Sequence, residues 1–348
     1  MRSRILAAGL AAAAAAVVAG GCGSSGDDGA ATGANGATGG DGGGTKVAMV
    51  FPGPINDKGY NQTGYTGLQT CAREGLQTSY TEKVAVPDFV KTFETSARGN
   101  DVVIGHGFEF GEIAAQVAPR FPDVKFLVTA NPLRPADDNV LHMTLNSTQG
   151  AFLAGALAGL ATESGKVGGI AGYDFPVLKA QMAAFQAGLR ETAPQATFKV
   201  VYLGTMDDVA KGKEAARGMA ASGIDVVYHI ADAAGVGVIT GAEAAGIKAI
   251  GWGVDQNAIA PRTVIASQIA NMSEQIGRVC RAIDEGGFTG GEVEVDGLQS
   301  GLTGLTRLYN VPDSFQQRLD DIRAKIVAGE LEVPSIGGDV PGSGPDAG

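Results

Sequence analysis

The loop at residues 52–62 carries side chains that are well suited to binding a small solute. Asn56, Asp57, Tyr60 and Asn61 follow the apolar run 46–51. A flat aromatic ring can stack on a heterocyclic base, and carboxylate and amide oxygens accept hydrogen bonds from hydroxyl and amino groups. These residue types predict that a solute is recognised by stacking and hydrogen bonding.

Further candidate binding residues also stand just after apolar runs. They are Phe108, Asp174, Met206, Asp232 and Asp255. Ligands of open α/β sheets bind beyond the carboxyl ends of the strands, so such a fold would place functional side chains at these positions. We expect a solute to bind first to the loop around Asp57 and Tyr60 and to be sealed in from the opposite side.

Structural roles compete with these binding roles. Asp57 could cap the helix that follows, as Asp residues often do, and capping is compatible with binding. Tyr60 and Phe108 could be core aromatics, which is the commoner fate of such side chains near the start of a helix.

Motifs of catalysis are absent from the sequence. It contains no G-x-S-x-G, H-E-x-x-H or P-loop pattern, and the segment Gly235-Val236-Gly237 lacks the rest of a dinucleotide fingerprint. The three histidines, His106, His142 and His229, share no metal-ligand spacing. The sequence therefore predicts a binding protein without catalytic residues, metal or cofactor.

The elements that would position these residues alternate between short β-branched runs and amphipathic stretches, which is typical of βαβ units. The predicted strands are 46–51, 101–105, 125–129, 166–171, 199–202, 225–229 and 248–252. The predicted helices are 111–120, 148–163, 177–192, 207–222 and 233–245. They are too many for one compact sheet, so we predict two α/β lobes with doubly wound parallel sheets and a ligand cleft between them.

We expect each lobe to consist of two chain segments. The first lobe would take 45–146 and about 258–292, and the second lobe 147–257 and about 293–312. A helix at 313–333 and a disordered tail at 334–348 would follow. The hinge is expected at the crossings near Asn146, Asn257 and Val293.

The amino terminus has the parts of an export signal. Arg2 and Arg4 precede the apolar run 5–18, small residues follow, and Cys22 comes next. This segment resembles a bacterial lipoprotein signal, with 1–21 cleaved and Cys22 lipidated. The Gly/Ser-rich stretch 22–44 would form a tether. The alternative is an ordinary cleaved signal followed by an inert cysteine.

The net charge and the cysteines limit the binding partners and covalent bonds that we expect. The 348-residue chain has a formal net charge of -11 and no basic cluster, which argues against nucleic-acid binding. In an exported protein, Cys71 and Cys280 could form one disulfide or remain two buried thiols.

Several segments resemble, in the same order, the basic membrane protein family of purine-nucleoside-receptor-like lipoproteins. Residues 56–62 (Asn-Asp-Lys-Gly-Tyr-Asn-Gln) resemble the family's D-D-K-S-F-N-Q, and 121–126 resemble its Y-P-D-V-K-F. Residues 150–155 resemble its G-S-F-L-A-G, and 165–168, 210–214 and 326–334 also agree. The resemblance spans about residues 46–334.

The resemblance implies a type I periplasmic-binding-protein fold that closes on a nucleoside and delivers it to an ABC permease with its ATPase subunits. It would make Tyr60 the stacking ring, let Asp57 and Asn61 bind the base or order the loop, and let Asp255 hold ribose hydroxyls. Two positions depart from the family pattern: Met206 replaces a second stacking Phe, and Ala270 replaces a lysine expected to touch the ribose.

Together these features predict a monomeric receptor anchored by lipid to the outer face of the cell membrane, with a nucleoside, expected to be a purine nucleoside, as its ligand. Two alternatives remain open at this point. The solute could be a sugar or a modified base, and the receptor could serve a membrane signalling protein instead of a permease.

Overall fold

The computed structural model describes residues 44–57 and 59–334. The predicted signal segment, Cys22, nearly all of the tether and nearly all of the tail lie outside these ranges. In chain order the elements are β1 (Lys46–Val50), α1 (Tyr60–Arg73), β2 (Gln77–Thr81), α2 (Phe89–Ala97), β3 (Val102–Gly105), α3 (Phe110–Val117), β4 (Lys125–Thr129), β5 (Val140–Leu145), α4 (Ser147–Ala161), β6 (Lys166–Ala171), α5 (Pro176–Thr192), β7 (Thr197–Tyr202), α6 (Val209–Ala221), β8 (Val226–Ile230), α7 (Asp232–Ala245), β9 (Lys248–Gly253), β10 (Val264–Ala270), α8 (Met272–Asp284), β11 (Glu292–Asp296), β12 (Thr303–Leu305) and α9 (Ser314–Val327).

Two sheets organise these elements into two lobes. The first sheet has the strand order β11-β5-β4-β3-β1-β2 and is parallel throughout. The second has the order β12-β10-β9-β8-β6-β7 and is parallel except for β12, which runs antiparallel to β10. The predicted α/β class, with two doubly wound lobes, is confirmed.

Helices cover both faces of each sheet, because the central strands are apolar on both faces. In β3, Val102 and Ile104 pack in the cluster that contains α1 and α8, whereas Val103 packs with α2 and α3. In β8, Tyr228 packs with α4, α5 and α9, and Val227 packs with α6 and α7. No helix in the described ranges is both long enough and apolar enough to span a bilayer.

The chain crosses between the sheets three times, and two of the crossings differ from the predicted ones. The first lies at Asn146, as predicted, between β5 and α4. The second lies at Asn271 and not near Asn257, because β10 pairs with β9 in the second sheet. The third lies at Gly297 and not near Val293, because β11 pairs with β5 in the first sheet. The predicted segments 258–292 and 293–312 therefore each combine strands of different sheets.

The predicted strands and helices are confirmed within a few residues, but five strands were not predicted. β2, β11 and β12 are short or only partly buried, so the apolar pattern of a buried strand is weak in them. β5 and β10 are well buried, but the prediction missed them. The predicted helix 313–333 corresponds to α9, and Leu319, Ile322 and Ile326 pack it on the second lobe.

Cys71 and Cys280 are bonded to each other. Cys71 of α1 and Cys280 of α8 form a disulfide with an S–S distance of 2.01 Å, and both are fully buried. The bond joins the first and second chain segments of the first lobe across a sequence separation of 209. The fold thus brings together the two partners that the sequence left as either a disulfide or two thiols.

Candidate functional site

Loops at the carboxyl ends of the strands carry the candidate residues of both lobes, and the lobes touch there. The backbone N–H of Tyr60 in the first lobe donates to Asp232 Oδ1 in the second at 3.4 Å. The rings of Phe108 and Phe175 meet edge to face, with centroids 6.3 Å apart. The candidate site is therefore closed from two sides by residues of different lobes.

Asp57 organises the loop that leads into α1. Its Oδ1 accepts hydrogen bonds from the N–H groups of Gly59 and Gln62 at 2.9 and 3.0 Å. Its Oδ2 accepts from the N–H and the side-chain amide of Asn61 at 2.9 and 2.8 Å. Both oxygens of Asp57 are thus engaged in ordering the loop. This is one of the two roles that the family resemblance implies for Asp57, the other being contact with the base.

Tyr60 is fixed by a closed ring of hydrogen bonds. His106 Nε2 lies 2.9 Å from the carbonyl oxygen of Tyr60, and His106 Nδ1 lies 3.0 Å from Thr129 Oγ1. Thr129 Oγ1 is also 3.1 Å from the Tyr60 hydroxyl. A carbonyl only accepts, so His106 Nε2 donates to it, Thr129 donates to Nδ1 of the neutral imidazole, and Tyr60 O–H donates to Thr129.

The rings of Tyr60 and His106 also stack, with centroids 4.1 Å apart and planes inclined by 22°. Burial lowers the pKa of His106 to about 4, so the imidazole is neutral, as the hydrogen-bond directions require. Burial, followed by the negative charge of Glu109, raises the pKa of the Tyr60 hydroxyl above its ordinary value. One ring face of Tyr60 is therefore occupied by the protein itself.

Asp232 begins α7 with a left-handed backbone, φ 40°. Burial and then the nearby negative charge of Asp57 raise the pKa of its carboxyl group to about 7, while the Tyr60 N–H opposes this rise. A Cβ on Gly59 would lie 2.8 Å from Asp232 Oδ1. The absence of a side chain at position 59 thus allows the two lobes to approach this closely.

Glu109, which the sequence did not single out, is a second partly buried carboxylate at this site. Burial raises its pKa, and its charge acts on Tyr60. Its carboxylate folds over Gly107, where a Cβ would lie only 2.4 Å from the Glu109 oxygen. His106 directly follows β3, Thr129 ends β4 and Glu109 lies in the loop between β3 and α3. Their position at or after a strand end is the sequence signal that could have identified them.

The other predicted binding residues differ in how far they are buried and in what they contact. Phe108 is exposed, and Phe175 stacks on Tyr173 with centroids 5.0 Å apart. Met206 packs closely beside Gly172 against the core of the second lobe. Asp174 is exposed and pairs with Lys179 at 3.2 Å.

Asn56 and Asp255 are exposed. Asp255 accepts hydrogen bonds from the Tyr309 hydroxyl and, at 3.0 Å, from the N–H of Asn257. Its carboxylate is thus engaged by the protein, and the structure does not bring it into contact with Tyr60. Ala270, where the family pattern has a lysine, is buried at the end of β10.

A second buried histidine, His229, lies near the carboxyl end of β8 in the second lobe. His229 Nε2 lies 2.9 Å from Gln256 Oε1, and the Nδ1 atom has no hydrogen-bond partner. Burial lowers its pKa to about 4. At the end of β9 the indole Nε1 of Trp252, which is 7% exposed, is likewise without a partner.

Within residues 44–57 and 59–334, no group of three His, Cys, Asp or Glu side chains is arranged to hold a metal ion. Two cavities lie away from the site. One of about 310 Å³ lies between α4, β12 and α9, and one of about 400 Å³ lies between α8 and β11. Neither is lined by Tyr60, Glu109 or Asp232.

Comparison with known proteins gives a consistent result. Residues 44–337 match the family model described as "ABC transporter substrate-binding protein PnrA-like". Basic membrane protein A1 of Borrelia garinii subsp. bavariensis is 25% identical over 83% of this chain and 88% of its own. The ABC transporter nucleoside-binding protein BmpA of Lactococcus lactis subsp. cremoris is 26% identical over 81% of this chain and 86% of its own.

Solved structures agree with the fold. An ABC transporter solute-binding protein from Aeropyrum pernix K1 superposes with a TM-score of 0.76 at 22% identity, covering 84% of this chain and 94% of its own. One from Conexibacter woesei DSM 14684 gives a TM-score of 0.70 at 28% identity, covering 83% of this chain and 98% of its own. Both are solute-binding proteins with the fold that the strand order shows.

Proposed function

Because this chain belongs to the family of PnrA-like ABC transporter substrate-binding proteins, we propose that it binds a nucleoside between its two lobes and delivers it to a membrane permease. The membership makes the chain a solute-binding protein and not an enzyme. The nucleoside, its expected purine base and the permease with its ATPase subunits are the proposed part.

The observation that carries this proposal is the rigid aromatic platform of Tyr60 at the place where the lobes meet. The ring is braced by His106 on one side and tied through Thr129, so little side-chain entropy is lost when a base stacks on it. Asp232 reaches the same residue from the other lobe. A ligand that contacts both elements favours the closed arrangement of the lobes.

The remaining predicted residues have graded roles in this proposal. Asp57 and Asn61 order the binding loop, Met206 and Phe108 provide apolar surface at its margins, and Asp255 closes the outer edge. Asn56 and Asp174 are rim residues that could contact a bound solute only after further closure. The relative from Lactococcus is named as a nucleoside-binding protein, which supports the same ligand class.

The proposal includes export and membrane attachment. The segment 1–21 would be removed and Cys22 would carry the lipid, as the sequence pattern indicates. The receptor would act as a monomer on the outer face of the membrane. Replacement of Cys22 by Ala should release the protein into the medium, whereas retention of the variant on the cells would contradict lipid attachment at this residue.

A thermal-shift screen tests the ligand class. The purified protein is melted with purine and pyrimidine nucleosides, free bases, sugars and amino acids, because a ligand that binds only the folded state raises the Tm. We expect the largest shift with a purine nucleoside. A shift with sugars or amino acids alone would leave the receptor family unchanged and refute the nucleoside.

A further inference from the structure

The start of α1 has four backbone N–H groups that cannot find a carbonyl partner within the helix, as in every α-helix. Three of them donate to Asp57, which precedes the helix. These are the N–H groups of Gly59, Asn61 and Gln62, at 2.9, 2.9 and 3.0 Å. The fourth, the N–H of Tyr60, donates elsewhere.

The acceptor of this fourth N–H belongs to the opposite lobe. Asp232 Oδ1 lies 3.4 Å from the backbone nitrogen of Tyr60, and Asp232 begins α7 of the second lobe, just after β8. Asp, Asn, Ser and Thr are the side chains that commonly satisfy the free N–H groups at a helix start. Asp232 therefore completes the cap of a helix that lies in the other lobe.

The local geometry on both sides fits this contact. A Cβ on Gly59 would lie 2.8 Å from Asp232 Oδ1 and 3.2 Å from Asp232 Cα. Asp232 has a φ of 40°, a left-handed backbone that residues other than glycine adopt rarely and at a cost in free energy. Asp208, which caps α6 within the second lobe, accepts from the N–H of Lys211 at 2.9 Å and has an ordinary extended backbone, φ -79°.

We propose that Asp232 is a positioning residue that links closure of the two lobes to the start of α1. In the closed arrangement its carboxyl oxygen completes the cap and fixes the backbone of Tyr60, the proposed stacking residue. When the lobes open, Asp232 and the Tyr60 N–H separate and each is hydrated. The inference rests on the proposed function, because it names a contact through which solute binding and closure favour each other.

This contact acts on the equilibrium between open and closed lobes. Replacement of an Asp cap typically changes an equilibrium constant about fivefold, within a range of roughly twofold to thirtyfold. A solute that binds the closed form has an apparent Kd inversely proportional to the closed fraction. Loss of the cap should therefore raise the apparent Kd by the same factor where the closed form is the minor species without ligand.

Pulsed EPR between one spin label in each lobe measures the separation of the lobes. The labels are attached to Val86→Cys in the first lobe and Val327→Cys in the second, both at exposed positions, in the Cys22→Ala protein. Cys71 and Cys280 are bonded to each other and take no label. Measurements without ligand and with excess adenosine give the fraction of molecules whose label separation matches the structure.

Variants at the two caps identify the group responsible. Asp232→Gly removes the capping oxygen, and glycine adopts a φ of 40° freely. We expect it to lower the ratio of closed to open molecules and to raise the Kd for adenosine in calorimetry, each about fivefold. Asp232→Asn keeps a side-chain oxygen and tolerates the left-handed backbone, so both values should stay close to those of the wild type. Asp208→Gly, the matched control, removes a cap within one lobe and should lower the Tm without changing the lobe separation.

Gly59→Ala tests the same contact from the first lobe. Its Cβ would lie 2.8 Å from Asp232 Oδ1, so this variant should also shift the protein towards the open form. In the Asp232→Gly background that oxygen is gone, and the added Cβ should have little further effect. An equal effect of Gly59→Ala in both backgrounds would show that position 59 acts independently of Asp232 and would overturn the inference. Melting curves without ligand show whether each variant is folded.

The outcomes separate this inference from the proposed function. A closed fraction that Asp232→Gly leaves unchanged, with and without adenosine, would overturn the inference. If that variant nevertheless loses affinity for adenosine, Asp232 contacts the ligand directly and nucleoside binding is retained. A lower closed fraction together with no binding of adenosine, inosine or guanosine would support the inference and refute the purine nucleoside. A wild-type protein that never shows the label separation of the structure would overturn the inference as well.

Discussion

Tyr60, the proposed stacking residue, is also fixed within the protein itself. Its hydroxyl, carbonyl and ring face are all held by Thr129 and His106, so the side chain is preorganised before any ligand arrives. This arrangement explains why the core role and the binding role considered for this tyrosine are compatible. A rigid ring costs less entropy on binding than a mobile one.

Substitution at Tyr60 should separate the ring from the hydroxyl. Tyr60→Ala removes the stacking surface and should weaken nucleoside binding by roughly 1–3 kcal/mol. Tyr60→Phe keeps the ring and loses only the bond to Thr129, so its loss should be clearly smaller. Isothermal titration measures both, and equal losses for the two variants would argue against stacking.

Acid should destabilise the protein through its buried histidines. The pKa values of His106 and His229 are about 4 in the folded protein, below the ordinary 6.5, so the unfolded chain binds more protons between these values. Stability is then fully present above about pH 6.5 and is lost as the pH falls towards 4. Asp232, with a pKa of about 7 instead of 3.8, opposes this because it holds its proton in the folded state.

These two histidines and Asp232 together contribute a loss of about 1–2 kcal/mol between pH 7 and pH 5. Burial also lowers the pKa of His142 and raises that of Glu109, and these two shifts act in opposite directions. Urea unfolding at the two pH values measures the loss. His229→Gln should make the stability nearly independent of pH over this range, and Asp232→Asn should make the loss steeper. A wild-type protein that becomes more stable at pH 5 would contradict these assignments.

At the scale of elements, pairs of helices pack closely through residues without side chains. In α6, a Cβ on Gly212 would lie 2.1 Å from the carbonyl oxygen of Ala234 in α7. Gly218, on the same helix, is exposed and has no atom within 4 Å of its Cβ position. A side chain therefore has no room at Gly212 but has open space at Gly218, although both glycines lie on α6.

Alanine substitution should reveal this difference. Gly218→Ala should raise the free energy of unfolding by about 0.5–1 kcal/mol, because glycine costs more entropy in a helix. Gly212→Ala must push α6 away from α7 and should lower it by roughly 1–3 kcal/mol. Denaturant unfolding measures both changes, and a stabilising effect at position 212 would contradict the close approach of the helices.

At the scale of the whole molecule, the last elements of the first lobe follow most of the second lobe in the sequence. Its α8 and β11 arrive from beyond β10, and the disulfide between Cys71 and Cys280 fastens α8 to α1. Most of the second lobe lies, in the sequence, between the two bonded cysteines. The bond itself lies entirely in the first lobe.

Removal of the disulfide should therefore destabilise the first lobe selectively. A loop of this length contributes roughly 3–5 kcal/mol, so calorimetry of Cys71→Ala/Cys280→Ala should show one unfolding transition moved to lower temperature and the other little changed. Reductant should have no effect on this variant. Equal displacement of both transitions would show that the lobes unfold as one unit.

The sequence by itself determined the local and ordered features of this protein. The strands 46–51, 101–105 and 125–129 and their following loops are visible in it, because periodicity and turn residues are short-range signals. The ordered motifs also indicated the family before any contact was known. Asp57 and Tyr60 were predicted as binding residues for the same reason, since both lie within one short motif.

Only the tertiary structure decided the features that depend on distant partners. Because β10 pairs with β9 and β11 with β5, two crossings lie at Asn271 and Gly297 and not at the predicted positions. The local residue pattern of a strand does not specify which strand it pairs with. Asp232 reaches Tyr60 only because two loops far apart in sequence meet between the lobes. Burial raises the pKa of the Glu109 and Asp232 carboxyl groups, and the negative charge of Asp57 raises that of Asp232 further; both causes exist only once the chain has folded.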